Sequence, residues 1–221
     1  MITERYRRDY DGEFVVTSTN IQGGVKLQQR EWIPNKIINM HVSGRAAVIG
    51  SSNTRHRQDY AILQHHRGGL MGKNKLQTYG CGNIWRDLRL DFYVSTDPRD
   101  INLVHKADYD KNTTVYTTSR QCIRYPESFF LVPYQPMLED LVTAVYLAAF
   151  DNHKEVFLIG YNNDTAPGND VYVGQLQEIF KAYSRTKFVL VGVAGNMPDM
   201  WRNRPNVAVM NYNEFKTYAD I

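Results

Sequence analysis

Residues 65–83, HHRGGLMGKNKLQTYGCGN, hold two histidines, one arginine, two lysines and five glycines. Cations alternating with glycines suit an anion, because glycine lets the backbone approach a ligand closely or take positive φ. Arginine grips two phosphate oxygens with one planar fork. An imidazole at His65 or His66 fits a general base or a phosphate ligand, and Arg67, Lys73 and Lys75 fit the neutralisation of a leaving diphosphate. The stretch has hardly any apolar run that would read as core. His65 to Lys75 is expected to be a phosphate-facing loop that orders over a bound donor.

Three junctions elsewhere have residue types suited to the same ligand. AAVIG at 46–50 is a short apolar run ending in glycine, the pattern of a strand buried on both faces, and it empties into a polar turn. Gly50, Ser51, Ser52 and Asn53 in that turn offer small side chains, hydroxyls and backbone N–H groups to a phosphate or ribose. The same residue types also cap helices. DFYVST at 91–96 leads into Asp97, which fits a base, a ribose or metal ligand, or a turn cap before Pro98. EVFLIG at 155–160 leads into YNND, where Asp164 has the same alternatives.

Other chemistries lose support. The chain has neither GxGxxG nor the Walker lysine loop, so hydride transfer and simple ATP hydrolysis are disfavoured. It has no GxSxG elbow, and no His or Cys pair stands at metal-ligand spacing. His41, His56, His105 and His153 are expected to be structural or to face solvent.

The elements that would position these junctions are strands at 14–19, 91–96, 113–119, 129–132, 155–160, 187–193 and 206–211, and one around 32–38 interrupted by Pro34. Helices are expected over 137–152, after Pro136, and over 173–185, each with an apolar stripe at helical spacing. Alternating strands and helices in the later half argue for a parallel sheet covered by helices. The predicted fold is α/β and Rossmann-like: a mostly parallel sheet flanked by helices, one domain over 1–221 with an N-terminal β-rich arm at 1–44. In such sheets ligands bind beyond the carboxyl ends of the strands.

The whole chain is consistent with this. Its 221 residues are 43% hydrophobic and 22% charged, ordinary globular values. No apolar window is long enough for a membrane helix and the N-terminus carries no apolar signal, so a cytosolic protein is expected. Cys81 and Cys122 are expected to be free, partly buried thiols. The formal net charge is +3, with basic residues gathered in the first third. RYRRDY, RHRQDY and WRDLR interleave cations with aromatics, a pattern that could follow a phosphate backbone while an aromatic supports an extruded base.

The order GRAAVIGSSN, TYGCGNIWRDLRLDFYVSTD, KEVFLIGYNND resembles the motif order of the sialyltransferase-like glycosyltransferases. GRAAVIGSS, HRGGLMGKNKLQTYG and LAAFDNHKEVFLIGYN are also similar to short proteins of T-even-like bacteriophages, whose relatives include transferases that add sugars to hydroxymethylated DNA bases. The resemblance implies a nucleotide-sugar donor, a UDP-sugar foremost, held against Gly50, Ser51, Ser52 and Asn53, with Asn83 in the base or ribose turn. It implies DNA as the acceptor partner. The chain departs from the family in having YQPMLED before the long helix and no histidine after Tyr172. A base must then come from Asp97, His65 or His66. A non-catalytic nucleotide or nucleic-acid binding module, or a transferase acting on a glycan or small molecule, are the alternatives.

Overall fold

The structure, a computed structural model, describes residues 2–9, 12–20, 26–34, 44–50, 63, 76–134, 136–161, 170–192 and 197–219, the first three segments by backbone alone. Its strands are β1 (Ile2–Asp9), β2 (Gly12–Asn20), β3 (Lys26–Pro34), β4 (Arg45–Ile49), β5 (Leu76–Cys81), β6 (Phe92–Val94), β7 (Thr114–Thr117), β8 (Phe130–Leu131), β9 (Glu155–Ile159), β10 (Lys187–Val191) and β11 (Val207–Met210). The helices are α1 (Pro98–Lys106), α2 (Ser119–Arg124), α3 (Asp140–Phe150), α4 (Asp170–Ala182), α5 (Asp199–Arg202) and α6 (Tyr212–Ala219). The chain divides into two compact units, Met1–Met40 with Ser95–Pro136, and His41–Val94 with Met137–Ile221.

The second unit has the predicted α/β, Rossmann-like architecture. Its strands lie in the order β11-β10-β9-β4-β5-β6, every neighbouring pair parallel. β4, β9 and β10 are unbroken apolar runs and all but their first residues are buried, as a sheet covered on both faces requires. Register fixes the two faces. Ala47 stands opposite Thr78 and Phe157, and Val189 opposite Phe157 and Ala208, so these share one face. Val48, Tyr79, Leu158, Leu190 and Val209 share the other.

Helices cover both. On the first face α6 places Phe215 with its ring 5.0 Å from that of Phe157. The end of α6 is clasped at the amino edge: the Tyr218 hydroxyl donates to both Glu155 carboxylate oxygens at 3.0 Å, and Arg45 Nη1 donates to the Tyr218 carbonyl at 3.2 Å. On the second face α4 sets Phe180 4.7 Å from Phe188, and Trp201 of α5 packs edge-on against Phe180 at 5.6 Å. α3 is apolar nearly all round, with Val142 to Ala149 buried continuously, so it runs as an interior helix between the sheet and α4.

The bounds of both predicted helices differ from the sequence expectation. α3 begins at Asp140, three residues later than predicted, and the Glu139 N–H that precedes it is taken by the Gln175 side chain at 3.0 Å. α4 ends at Ala182. There Asn206 Nδ2 is shared among the carbonyls of Phe180, Tyr183 and Thr186 at 2.9, 3.3 and 3.2 Å, satisfying groups that a helix end leaves orphaned.

A larger correction concerns β5. Leu76 to Cys81, where the sequence reading places no strand, form one between β4 and β6 and are all buried. Thr78 is satisfied by Asp91, whose Oδ2 accepts from both its N–H and its hydroxyl at 2.9 Å. Tyr79 donates its hydroxyl to Asp151 and meets His153 Nε2 at 3.0 Å. Polar residues can occupy a central strand when each finds such a partner.

The first unit contains β7, β8 and β1 as parallel neighbours, with Arg7 opposite Phe130, and β1, β2 and β3 as an antiparallel meander. The predicted strand over 14–19 lies within β2, and residues 32–34 of that expected around 32–38 lie within β3, the rest being outside the described residues. Helix α1 has no counterpart among the predicted elements.

Candidate functional site

β4 has β5 on one side and β9 on the other, so the chain leaves it in one direction to build half the sheet and returns across it to build the rest. In such sheets the carboxyl ends of the strands at that reversal, here β4 and β9, are where ligands bind. Three strands here end in glycines with φ that other residues rarely adopt: Gly82 after β5 at 61°, Gly160 after β9 at 76° and Gly192 after β10 at 76°. Each turns the chain sharply off the sheet edge.

Gly50 is the first residue past β4, and its N–H donates to the Ile159 carbonyl at 2.8 Å. A Cβ there would stand 2.7 Å from the Gly160 carbonyl oxygen and 3.0 Å from both Leu141 Cδ1 and Tyr161 Cε2. Glycine at 50 is therefore demanded by the protein's own packing. Tyr161, 1% exposed, fills the floor beneath, its hydroxyl donating to the Leu141 carbonyl at 2.8 Å. Burial holds the Tyr161 phenol well above its ordinary range, and the neighbouring Cys81 and Tyr172 add to this. It is a neutral floor.

One strand over, the turn Gly82–Arg86 is fixed by the fully buried Ile84 and by Tyr93, whose hydroxyl donates to the Gly82 carbonyl at 2.9 Å. Asn83 and Arg86 are exposed on this turn, and the Arg86 guanidinium lies 5.2 Å from the Trp85 ring centre. Gly50 and Asn83 thus reach the same edge on adjacent strands, as β4 and β5 pair in parallel with Ile49 opposite Gly80. In the sequence, Trp85 and Arg86 stand out only as part of a basic-aromatic string. Their place in a turn following a buried strand is what makes them site residues, and that depends on recognising β5.

The remaining predicted residues divide as follows. Asp97 belongs to the first unit, where it caps α1: Arg99 N–H donates to its Oδ1 at 2.8 Å, and its own N–H donates to Ser95 Oγ at 3.2 Å. The backbone bond from Arg99, then that residue's side chain, lowers the Asp97 pKa. Such a carboxylate is a weak proton acceptor. His65, His66, Arg67, Lys73, Lys75, Ser51, Ser52, Asn53 and Asp164 lie outside the described residues, as do His41 and His56. The described chain resumes after the glycine-rich segment at Leu76, which stands opposite Arg45 at the amino edge of the sheet.

Of the other histidines, His153 is 1% exposed in the buried cluster with Tyr79 and Asp151, and His105 bonds Asp110 Oδ2 through Nδ1 at 3.2 Å while packing on Tyr125. Neither cysteine is in a disulfide, both are buried, and desolvation pushes Cys122 up to about 12. Among the described residues no three His, Cys, Asp or Glu side chains converge as a metal site, and no helix is long and apolar enough to cross a membrane.

No protein-family model, curated protein or solved structure matches this chain.

Proposed function

We propose that the chain binds a nucleotide sugar at the carboxyl edge of its six-stranded parallel sheet and transfers the sugar to a hydroxymethylated pyrimidine in DNA. The observation that carries the nucleotide half is the reversal of strand order between β4 and β9, with glycine-ended strands on either side. The exposed Asn83 amide and Arg86 guanidinium on the next strand end supply polar contacts to the same ligand. Backbone N–H groups of residues 51–53 are the proposed diphosphate contacts.

The transfer half rests on the sequence. Its motif order resembles that of the sialyltransferase-like glycosyltransferases, several of its stretches are similar to short phage proteins whose relatives include transferases acting on DNA bases, and the basic residues of the first third suit a polyanionic acceptor. With Asp97 held as an ionised helix cap, His65 or His66 takes the role of general base toward the acceptor hydroxyl.

Isothermal calorimetry against a panel of nucleoside diphosphates and nucleotide sugars tests this reading. Binding of at least one diphosphate, tighter with its sugar attached, is expected; no binding to any removes the proposal. The capping role of Asp97 also favours a second reading, a nucleotide-binding module without turnover. Slow release of nucleoside diphosphate from the donor in water separates the two, since a transferase leaks sugar to water and a module does not.

A further inference from the structure

β11 is an edge strand: among the described residues its strand neighbour is β10 alone. The backbone bonds define which of its groups face outward. Phe188 N–H donates to the Asn206 carbonyl at 2.8 Å and Gly192 N–H to the Met210 carbonyl at 2.9 Å, so Asn206, Ala208 and Met210 bond inward along the parallel ladder. Val207 and Val209 alternate with them and point their backbone groups away from β10. The Val207 N–H is occupied by the Arg204 carbonyl at 3.1 Å. What faces outward is the Val207 carbonyl, and the N–H and carbonyl of Val209.

Natural edge strands are guarded by lysine, proline, a bulge or inward charge. From Asn206 to Asn211 the sequence NVAVMN has none of these, the register with β10 is regular, and only the strand's short length limits pairing. Val209 is 47% exposed, and beside it runs an open groove of about 800 Å³ with Tyr212, Thr217 and Tyr218 in its wall.

We infer that β11 is the interface for a second copy of this chain, pairing antiparallel with its own mate about a two-fold axis through Ala208. The backbone selects this register. Outward-facing residues must meet outward-facing ones, and Asn211 is unavailable, because its N–H donates to Glu214 at 2.9 Å and its carbonyl accepts from Phe215 at 2.9 Å. Val209 therefore meets Val207 of the other copy. Each Val209 N–H then donates to a Val207 carbonyl, twice by symmetry, as an isologous interface requires.

The side chains agree with the backbone. Val207 and Val209 lie on one sheet face, so pairing gathers four valines into one patch. Ala208 meets Ala208 across the axis as a non-hydrogen-bonded pair, where Cα atoms approach to about 4.5 Å and small residues fit.

Sedimentation equilibrium of the full chain from micromolar to sub-millimolar concentration should give a reversible dimer at twice the monomer mass. Val209→Pro deletes the outward N–H without removing a bond to β10; it should be monomeric across that range with an unchanged circular dichroism spectrum. Ala208→Cys should form a covalent dimer under mild oxidation that thiol reductant reverses, whereas Val209→Cys should not. A wild-type chain that stays monomeric, a Val209→Pro dimer of undiminished strength, or faster cross-linking of the Val209→Cys variant than of the Ala208→Cys variant would each overturn the interface.

Discussion

Gly50 and Gly160 meet at the carboxyl ends of β4 and β9 so closely that a methyl group on the first would press to 2.7 Å on the carbonyl oxygen of the second. The contact is with backbone, which cannot swing aside as a side chain can, and Tyr161 and Leu141 close the other directions at 3.0 Å. Two strands that are distant in sequence are thereby locked edge to edge where the sheet reverses its order.

Replacing Gly50 by alanine should therefore destabilise the fold by about 1–3 kcal/mol, the usual cost of overpacking a filled core. Gly174 is the control. It lies inside α4 with open space where a Cβ would go, so Gly174→Ala should stabilise by about 0.5–1 kcal/mol through helix propensity alone. Urea midpoints at equal m-value report both, and a Gly50→Ala midpoint at or above wild type would contradict the packing described.

The buried cluster at Tyr79 gives a second test. Its hydroxyl donates to Asp151 and meets His153 Nε2 on the covered side of β5, and all three residues are at most 2% exposed. Tyr79→Phe keeps the ring stacked on Phe92 at 4.7 Å and removes only the hydroxyl. A loss of about 1–3 kcal/mol is expected, the cost of leaving buried polar groups short of a partner. A neutral substitution, measured by chemical denaturation, would mean the cluster is solvated.

High pH should unfold this protein through two acids. Desolvation lifts Cys122 from an ordinary 9.0 to about 12 and lifts the Tyr161 phenol well above 10.0. Both pKa values are raised on folding, so the native state holds these protons more tightly than the unfolded chain. The stability they confer is complete below pH 9 and is lost as pH rises, first through Cys122 between 9 and 12 and then through Tyr161 above 10. Each group should contribute a slope of about 1.4 kcal/mol per pH unit in its window. Denaturation at pH 8 and pH 10.5 measures the sum, and Cys122→Ala should flatten the lower part of the curve. Equal stability at both pH values would rule out the burial.

Much of this architecture is legible because β4, β9 and β10 are unbroken apolar runs, and because α3 and α4 carry helical periodicity. β5 is not legible. Its Gln77, Thr78 and Tyr79 look like loop residues in any local window, and what makes them strand residues is Asp91, Asp151 and His153, the last two more than seventy positions away. Helix α1 escapes a sequence reading for a related reason: Asp97 and Pro98 look like a ligand and a turn, whereas they are a cap and a first-turn proline ahead of an amphipathic segment that buries only Ile101 and Val104. At the candidate site the sequence marks the strand ends, since glycine after an apolar run is a local signal. The reason for Gly50, a carbonyl on another strand, is not local. Strand order likewise follows from crossovers that no window contains.

The DNA half of the proposed function is tested by salt. Cations that meet phosphates release condensed counterions, so affinity for duplex DNA should fall steeply between roughly 50 and 200 mM salt. Arg7 and Arg8 lie on β1, whose backbone pairs with β8 at Phe130 in the unit that does not contain Gly50. Reversing both to glutamate should weaken DNA binding and lower the slope of log affinity against log salt by about 2, at nearly one unit per lost phosphate contact. Nucleotide-sugar affinity should stay unchanged, because the strand ends that form the proposed donor site belong to the other unit. Fluorescence anisotropy with a labelled duplex, run beside donor calorimetry on the same variant, separates the two effects. Affinity indifferent to salt, or transfer to a free nucleoside as fast as to duplex, would move the acceptor from DNA to a small molecule while leaving the nucleotide site standing.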